Sequence, residues 1–376
     1  MTDAEFAGIG KAFGDYLRWF RPHAGLPKTA GHFDEYCRGL MSDESRKSVE
    51  PLALRAGTTV RTLQVFLKNA DWDDEAMRHT LGRRLARAFA VEPDPDRLGT
   101  VGLIDETSMA KKGVKTPGVQ RQYLGCLGKV ENGIVTVHLG ACRSGFKALL
   151  DSELFLPEAW DADRDRCRAA GIPDDKHHES KWKLAVWQWA RASANGFHFD
   201  WLVFDEGYGK TPAFLRTLDL SDQAYVGEIP VIYRVALWPG GRRIEARECL
   251  TSTARRGWKR VVIRHATGGV SLWKYRSRRV YSAKHWQVLI VAVNAATGEV
   301  KYFISNSAEC NPKKLLRVAF RRSVVEHLFR IAKQEVGFAH FEGRSYRGLM
   351  RHLTMAIIVM GFASLHAARL SKKTRR

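Results

Sequence analysis

LGTVGLIDETSMAKKG, residues 98–113, is where the chain changes its period. Before it, apolar residues recur at spacings of three and four (Phe13, Leu17, Phe20; Leu81, Leu85, Phe89), the signature of amphipathic helices. The run VEPDPDR, residues 91–97, interrupts that pattern with two prolines and three acids. Residues 98–104 then read as a short buried strand delivering Asp105 at its end, followed by a basic loop carrying Lys111, Lys112 and Lys115.

Working outward, residues 121–127, 133–141 and 200–204 are further short runs of Val, Ile, Leu and aromatics, with a helix expected over 180–195 whose tryptophans read as core anchors. Strands interleaved with a helix predict a mixed α/β sheet. Residues 230–305 are strand-like again, with turns at PGG, TGG and ATGE, and read as a β-rich insertion. A helix is expected over 314–336, and a second, apolar one over about 349–369. The resulting division is a helical domain over 1–97, an α/β core over 98–229 resumed at 306–370, the insertion over 230–305, and a basic tail over 371–376.

Sixty-one Lys and Arg against 40 Asp and Glu leave a net charge of +21. Such an excess points to a polyanion, because Lys and Arg on phosphates release counterions. Six scattered cysteines without a C-x-x-C pair argue against a zinc site or a disulfide framework. The first residues lack a basic segment followed by an apolar one, and the longest apolar run, residues 353–365, is shorter than the ~20 residues that span a bilayer. The expectation is therefore a cytoplasmic protein associated with the nucleoid, with no membrane partner.

Within the N-terminal region, Ala53, Gly57 and Leu63 have the relative spacing of a helix-turn-helix. Its second helix, about residues 60–68 with Thr59 as cap, would leave Arg61, Gln64 and Lys68 free for bases and phosphates. An ordinary helical hairpin is the alternative. Asp205 repeats the arrangement of Asp105, following the apolar run WLVF. Two strand-end aspartates suit oxygen coordination of Mg²⁺. The stretch EGYGKT lacks the first glycine of a phosphate-binding loop, since Phe204 stands there, so no nucleotide cofactor is expected. On the helix over 314–336, Arg322, Glu326 and Lys333 fall at roughly 0°, 40° and 20°, while Glu335 lies about 180° from Glu326. By strand alternation Glu106 points away from Asp105.

Two strand-end aspartates followed by R-x3-E-x6-K on a late helix beyond a β-rich insertion resemble the DDE transposases of bacterial insertion sequences with the Tyr-Arg-Glu-Lys signature. The phrases LIDETSMAKKG, LLDSELFLPEAW, FDEGYG and IAKQEVGFAHFEGRSYRG resemble them too. Ala319 stands where that signature has tyrosine, with Phe320 beside it. The resemblance implies a ribonuclease-H-like core in which Asp105, Asp205 and Glu326 hold two Mg²⁺ ions, Mn²⁺ serving as a substitute. It implies cleavage of double-stranded DNA at element ends and strand transfer into a target, with Arg322 and Lys333 on phosphates and a homodimer pairing the ends. Trp258 and Trp273 of the insertion are expected to stack on DNA, sheet core being their other reading. A nuclease without strand transfer and a non-cutting DNA-binding regulator are the competing functions.

Overall fold

The computed structural model describes residues 3–265 and 268–374. Five helices come first: α1 (Asp3–Leu17), α2 (Pro27–Leu40), α3 (Val49–Arg55), α4 (Val60–Lys68) and α5 (Asp74–Ala90). Proline starts α2, where its missing N–H costs nothing. Thr59 caps α4 by accepting the Thr62 N–H at 3.1 Å, and Gly57, at φ +62°, makes the turn from α3. Ala53, Leu63 and Phe66 are buried between these helices, while Arg61, Gln64 and Lys68 face solvent.

The sheet follows. Its first strands are β1 (Val101–Ala110), β2 (Gln120–Leu124), β3 (Lys129–Arg143) and β4 (Phe146–Leu154). Three helices, α6 (Glu158–Asp161), α7 (Arg164–Ala169) and α8 (Lys181–Ala194), lead to β5 (Trp201–Phe204). Then come α9 (Glu206–Gly209), α10 (Pro212–Leu220) and β6 (Tyr225–Ile229). Strands β4, β3, β1, β5 and β6 lie side by side in that order, β1 antiparallel to β3 but parallel to β5, and β5 parallel to β6. This is the ribonuclease-H-like mixed sheet. Helix α8 packs on one face of it; the late helices cover the other.

The β-rich segment holds a two-stranded ribbon of β7 (Arg234–Val235) and β8 (Ile244–Glu245), the short α11 (Ala246–Cys249), and β9 (Lys259–Arg264), β10 (Val270–Ser282), β11 (His285–Asn294) and β12 (Val300–Ser305). It continues the same sheet: β12 pairs antiparallel with β6, then β11, β10 and β9 extend outward to make ten strands. The expected helix over 314–336 is two helices, α12 (Pro312–Ala319) and α13 (Ser323–Gln334), joined by a tighter turn at Phe320–Arg322. That turn sends Phe320 onto Trp273, at 4.6 Å between ring centroids, while Arg322 reaches the sheet. Finally α14 (Tyr346–Thr374) packs along β4, α2, α4 and α5. Its length and composition would allow a membrane crossing, yet residues 349–362 are buried inside the protein. Of the basic tail, Arg375 and Arg376 lie outside the described residues.

Strand β4 is one that the sequence reading did not place, and two local expectations change. Trp187, read as an anchor of α8, is 44% exposed. Strand β1 runs on to Ala110, so Asp105 is not at its physical end. Pairing with β5 nevertheless stops at Leu103, and Asp105 therefore stands just past the end of the parallel ladder.

Candidate active site

That position explains the local chemistry. Beyond Leu103 the sheet opens between β1 and β5, and Asp205 follows directly on β5. Asp205 caps α9, its Oδ1 accepting the Gly207 N–H at 2.9 Å and the Tyr208 N–H at 3.4 Å. Asp105 Oδ1 accepts the N–H of Glu106 at 2.8 Å. The other oxygen, Oδ2, accepts from Arg322 Nη1 at 2.6 Å, and Arg322 Nη2 donates to Glu326 Oε1 at 2.7 Å. One guanidinium thus ties the first strand to the late helix. Glu326 itself is exposed, one turn beyond Arg322.

Burial pushes the Asp105 carboxyl up to about 7, against the pull of Arg322; nearby Asp205 and Glu326 add to the rise. Three carboxylates in one neighbourhood, one of them desolvated, form a hard-oxygen donor set of the kind Mg²⁺ takes. Among the described residues no three Asp, Glu, His or Cys side chains gather tightly enough to hold an ion as they stand. The charge of the acids is balanced here by Arg322 instead. Glu106 points to the opposite face, 2.8 Å from Lys181 Nζ on α8. Glu335 caps the end of α13, and its side of that helix lines a separate cavity with Leu328, Ile331 and Met360.

The other residues singled out in the sequence are dispersed. Lys333 Nζ donates to the Ser108 carbonyl at 3.0 Å, tying α13 to β1 beside the acids. Lys111 is largely covered, donating to the Phe341 carbonyl at 2.5 Å, and burial lowers its ammonium to about 8. Lys112 is exposed. Trp258 is half-buried and donates to the Ala254 carbonyl at 2.7 Å. Trp273 needs correcting as a stacking residue. It is 2% exposed, because alternation along β10 turns it inward onto Phe320, and its ring offers no free face. Ala319 is buried at the end of α12, and Phe320 fills the space between Trp273 and Phe303.

Sequence reasoning passed over Tyr208. It is buried, its hydroxyl has no partner among the described residues, and burial together with Glu106, Asp105 and Asp205 holds its phenol well above the ordinary value. Its signal was FDEGYG itself, one turn after Asp205.

Residues 23–247 match the family of DDE superfamily endonucleases, and residues 176–362 match the transposase DDE domain. The chain belongs to the DDE superfamily of endonucleases. It is also 24% identical over 334 residues to a probable transposase for insertion sequence element IS701 from Microchaete diplosiphon, covering 88% of this chain and 82% of that protein. As a member of the DDE transposases of insertion sequences it is an enzyme that acts on DNA, and enzymes of this kind use divalent metal ions.

Proposed function

We propose that this DDE enzyme cuts double-stranded DNA at the ends of its insertion sequence and joins them to a target by Mg²⁺-dependent phosphoryl transfer. Asp105, Asp205 and Glu326 would hold the metal. The observation that carries the reading is the bridge Asp105–Arg322–Glu326 at the mouth between β1 and β5, with Asp205 close enough to raise Asp105.

Two Mg²⁺ ions, or Mn²⁺ in their place, would stabilise the attacking and leaving oxygens of an in-line displacement. The chain's own residues account for the rest. Arg322 is held at the acids by two charge-assisted hydrogen bonds and is within reach of a phosphate beside them. Lys333 fixes α13 against β1, which sets the height of Glu326 over Asp105. On α4 the exposed Arg61, Gln64 and Lys68 suit base edges and phosphates, and Lys112 and the half-covered Trp258 are candidates for further DNA contacts. Pairing two ends calls for a homodimer on DNA, and the working place is the cytoplasm at the nucleoid.

Asp105→Ala, Asp205→Ala and Glu326→Ala, assayed separately on end-bearing duplex with Mg²⁺, should each lower strand cleavage by about 10³-fold or more while DNA affinity stays within about twofold. Wild-type cleavage by any of the three removes that residue from the site. Joined products from wild-type protein support strand transfer; cut but unjoined DNA would leave a nuclease.

A further inference from the structure

Residues 249–298 contain ten Lys or Arg and no Asp or Glu, so nearly half of the +21 surplus sits in the outer strands. Register concentrates part of it on one face. Arg260 lies directly opposite Lys274, Val262 opposite Leu272, and Arg264 opposite Val270. All six are exposed, the three apolar ones by 52%, 40% and 63% in that order of pairs. Their alternating neighbours Val261, Ile263, Trp273 and Tyr275 are buried on the other side.

A like-charged pair directly across two strands is destabilising unless an anion lies between them. Among the described residues, Arg260, Arg264 and Lys274 have no acidic partner in ion-pair contact. Charges also guard open sheet edges, and β9 is such an edge. Edge protection does not account for a cation on the inner neighbour β10, set opposite another, nor for fifty residues without one acid.

We propose that this β9–β10 face is a second DNA surface, one that takes the sugar-phosphate backbone of duplex DNA away from the catalytic acids. The inference rests on the reading of the chain as a DNA-cutting enzyme and names where it grips. Six strand spacings separate β1 from β9 in the sheet order, about 29 Å along the sheet at ~4.8 Å each. At ~3.4 Å per base pair this is eight or nine base pairs from the cut. The face therefore serves long duplexes and is dispensable for cleavage of short ones.

The test uses the full chain carrying Arg260→Gln, Arg264→Gln and Lys274→Gln together, with affinity for a long duplex measured across 50–200 mM salt. The slope of log affinity against log salt should become shallower by roughly 2.7, about 0.9 per lost phosphate contact. A companion with Arg260→Lys and Arg264→Lys should keep the wild-type slope, and thermal melting establishes that both variants are folded. An unchanged slope in a folded triple variant overturns the proposal, as does an equal loss in the Lys companion. So does a shift in oligomeric state with no change in slope, which would assign the face to a second copy of the chain. Asp105→Ala separates the two readings: normal cleavage by it sinks the active-site assignment while the slope still decides the surface.

Discussion

The helical region and the outer strands are attached to the catalytic sheet by different physics. The outer strands join through a backbone ladder, β12 on β6, in which Tyr302 pairs with Ile229 and Ser305 with Val226. The hydrogen bonds of a ladder are made by main-chain groups that every residue but proline carries, so they form with many different side chains alongside. The helical region joins α14 through buried polar side chains of both partners. Arg351, fully buried, donates to the carbonyls of Phe66, Leu67, Ala70 and Trp72 around the end of α4. Beside it, His352 Nε2 donates to the Gly337 carbonyl at 3.1 Å, so its Nδ1 accepts from the Tyr36 hydroxyl at 2.9 Å. Tyr16 donates to the Ile358 carbonyl at 2.7 Å. A ladder tolerates sequence change; a buried polar joint is specific and sensitive to protons.

Breaking the polar joint should have the largest effect. Arg351→Met removes one donor from four carbonyls and from Asp74, of which the Phe66 carbonyl keeps Trp72 Nε1 and Asp74 keeps Arg78, and should cost about 3–5 kcal/mol, read as a fall in the urea midpoint. A loss below about 1 kcal/mol would mean that helix packing alone holds α4 in place. On the other side, Trp273→Ala removes the inward ring that meets Phe320, and should cost about 3 kcal/mol. Because Phe320 begins the turn that aims Arg322, this variant should lose more cleavage than DNA binding; equal losses would disconnect the outer strands from the site.

The smallest effect sharpens the contrast. Burial lowers His352 to about 4, so the folded protein holds it neutral while the unfolded chain protonates near its ordinary value of ~6.5. A depressed pKa contributes stability above the unfolded value and loses it as pH falls toward the folded one. Between pH 6.5 and 5 that loss is about 1.6 kcal/mol. His138, pushed down to about 3 by burial beneath Phe329 and Phe338, behaves alike inside the sheet. His352→Gln should therefore remove about half of the acid sensitivity from these two groups, measured as urea midpoints at the two pH values. An unchanged pH dependence would show that the helical joint does not titrate.

Much of the site was legible because its chemistry is local. Asp105 and Asp205 each follow a run of apolar residues in the chain, and the spacing of Arg322 and Glu326 survives the break between α12 and α13, since four residues still make one turn. Strand β4 was not legible: Asp151 and Glu153 are buried there, neutralised by Arg191 and Lys176 from elsewhere in the chain, so its polar residues do not mark a solvent face. Trp273 stayed open between DNA stacking and sheet core for a related reason, and it is core. Alternation told that one side of β10 is covered, but not which.

By itself the sequence determined the change of period at residue 98, the two aspartates, the helix-turn-helix spacing and the basic surplus, because each depends on near neighbours in the chain. Tertiary structure alone decided that Arg322 balances acids from a distant strand, that Arg351 caps α4, and that the outer strands continue the catalytic sheet. These are contacts between residues from about seventy to nearly three hundred positions apart, and only a packed core settles which partner each charge, each ring and each strand will meet.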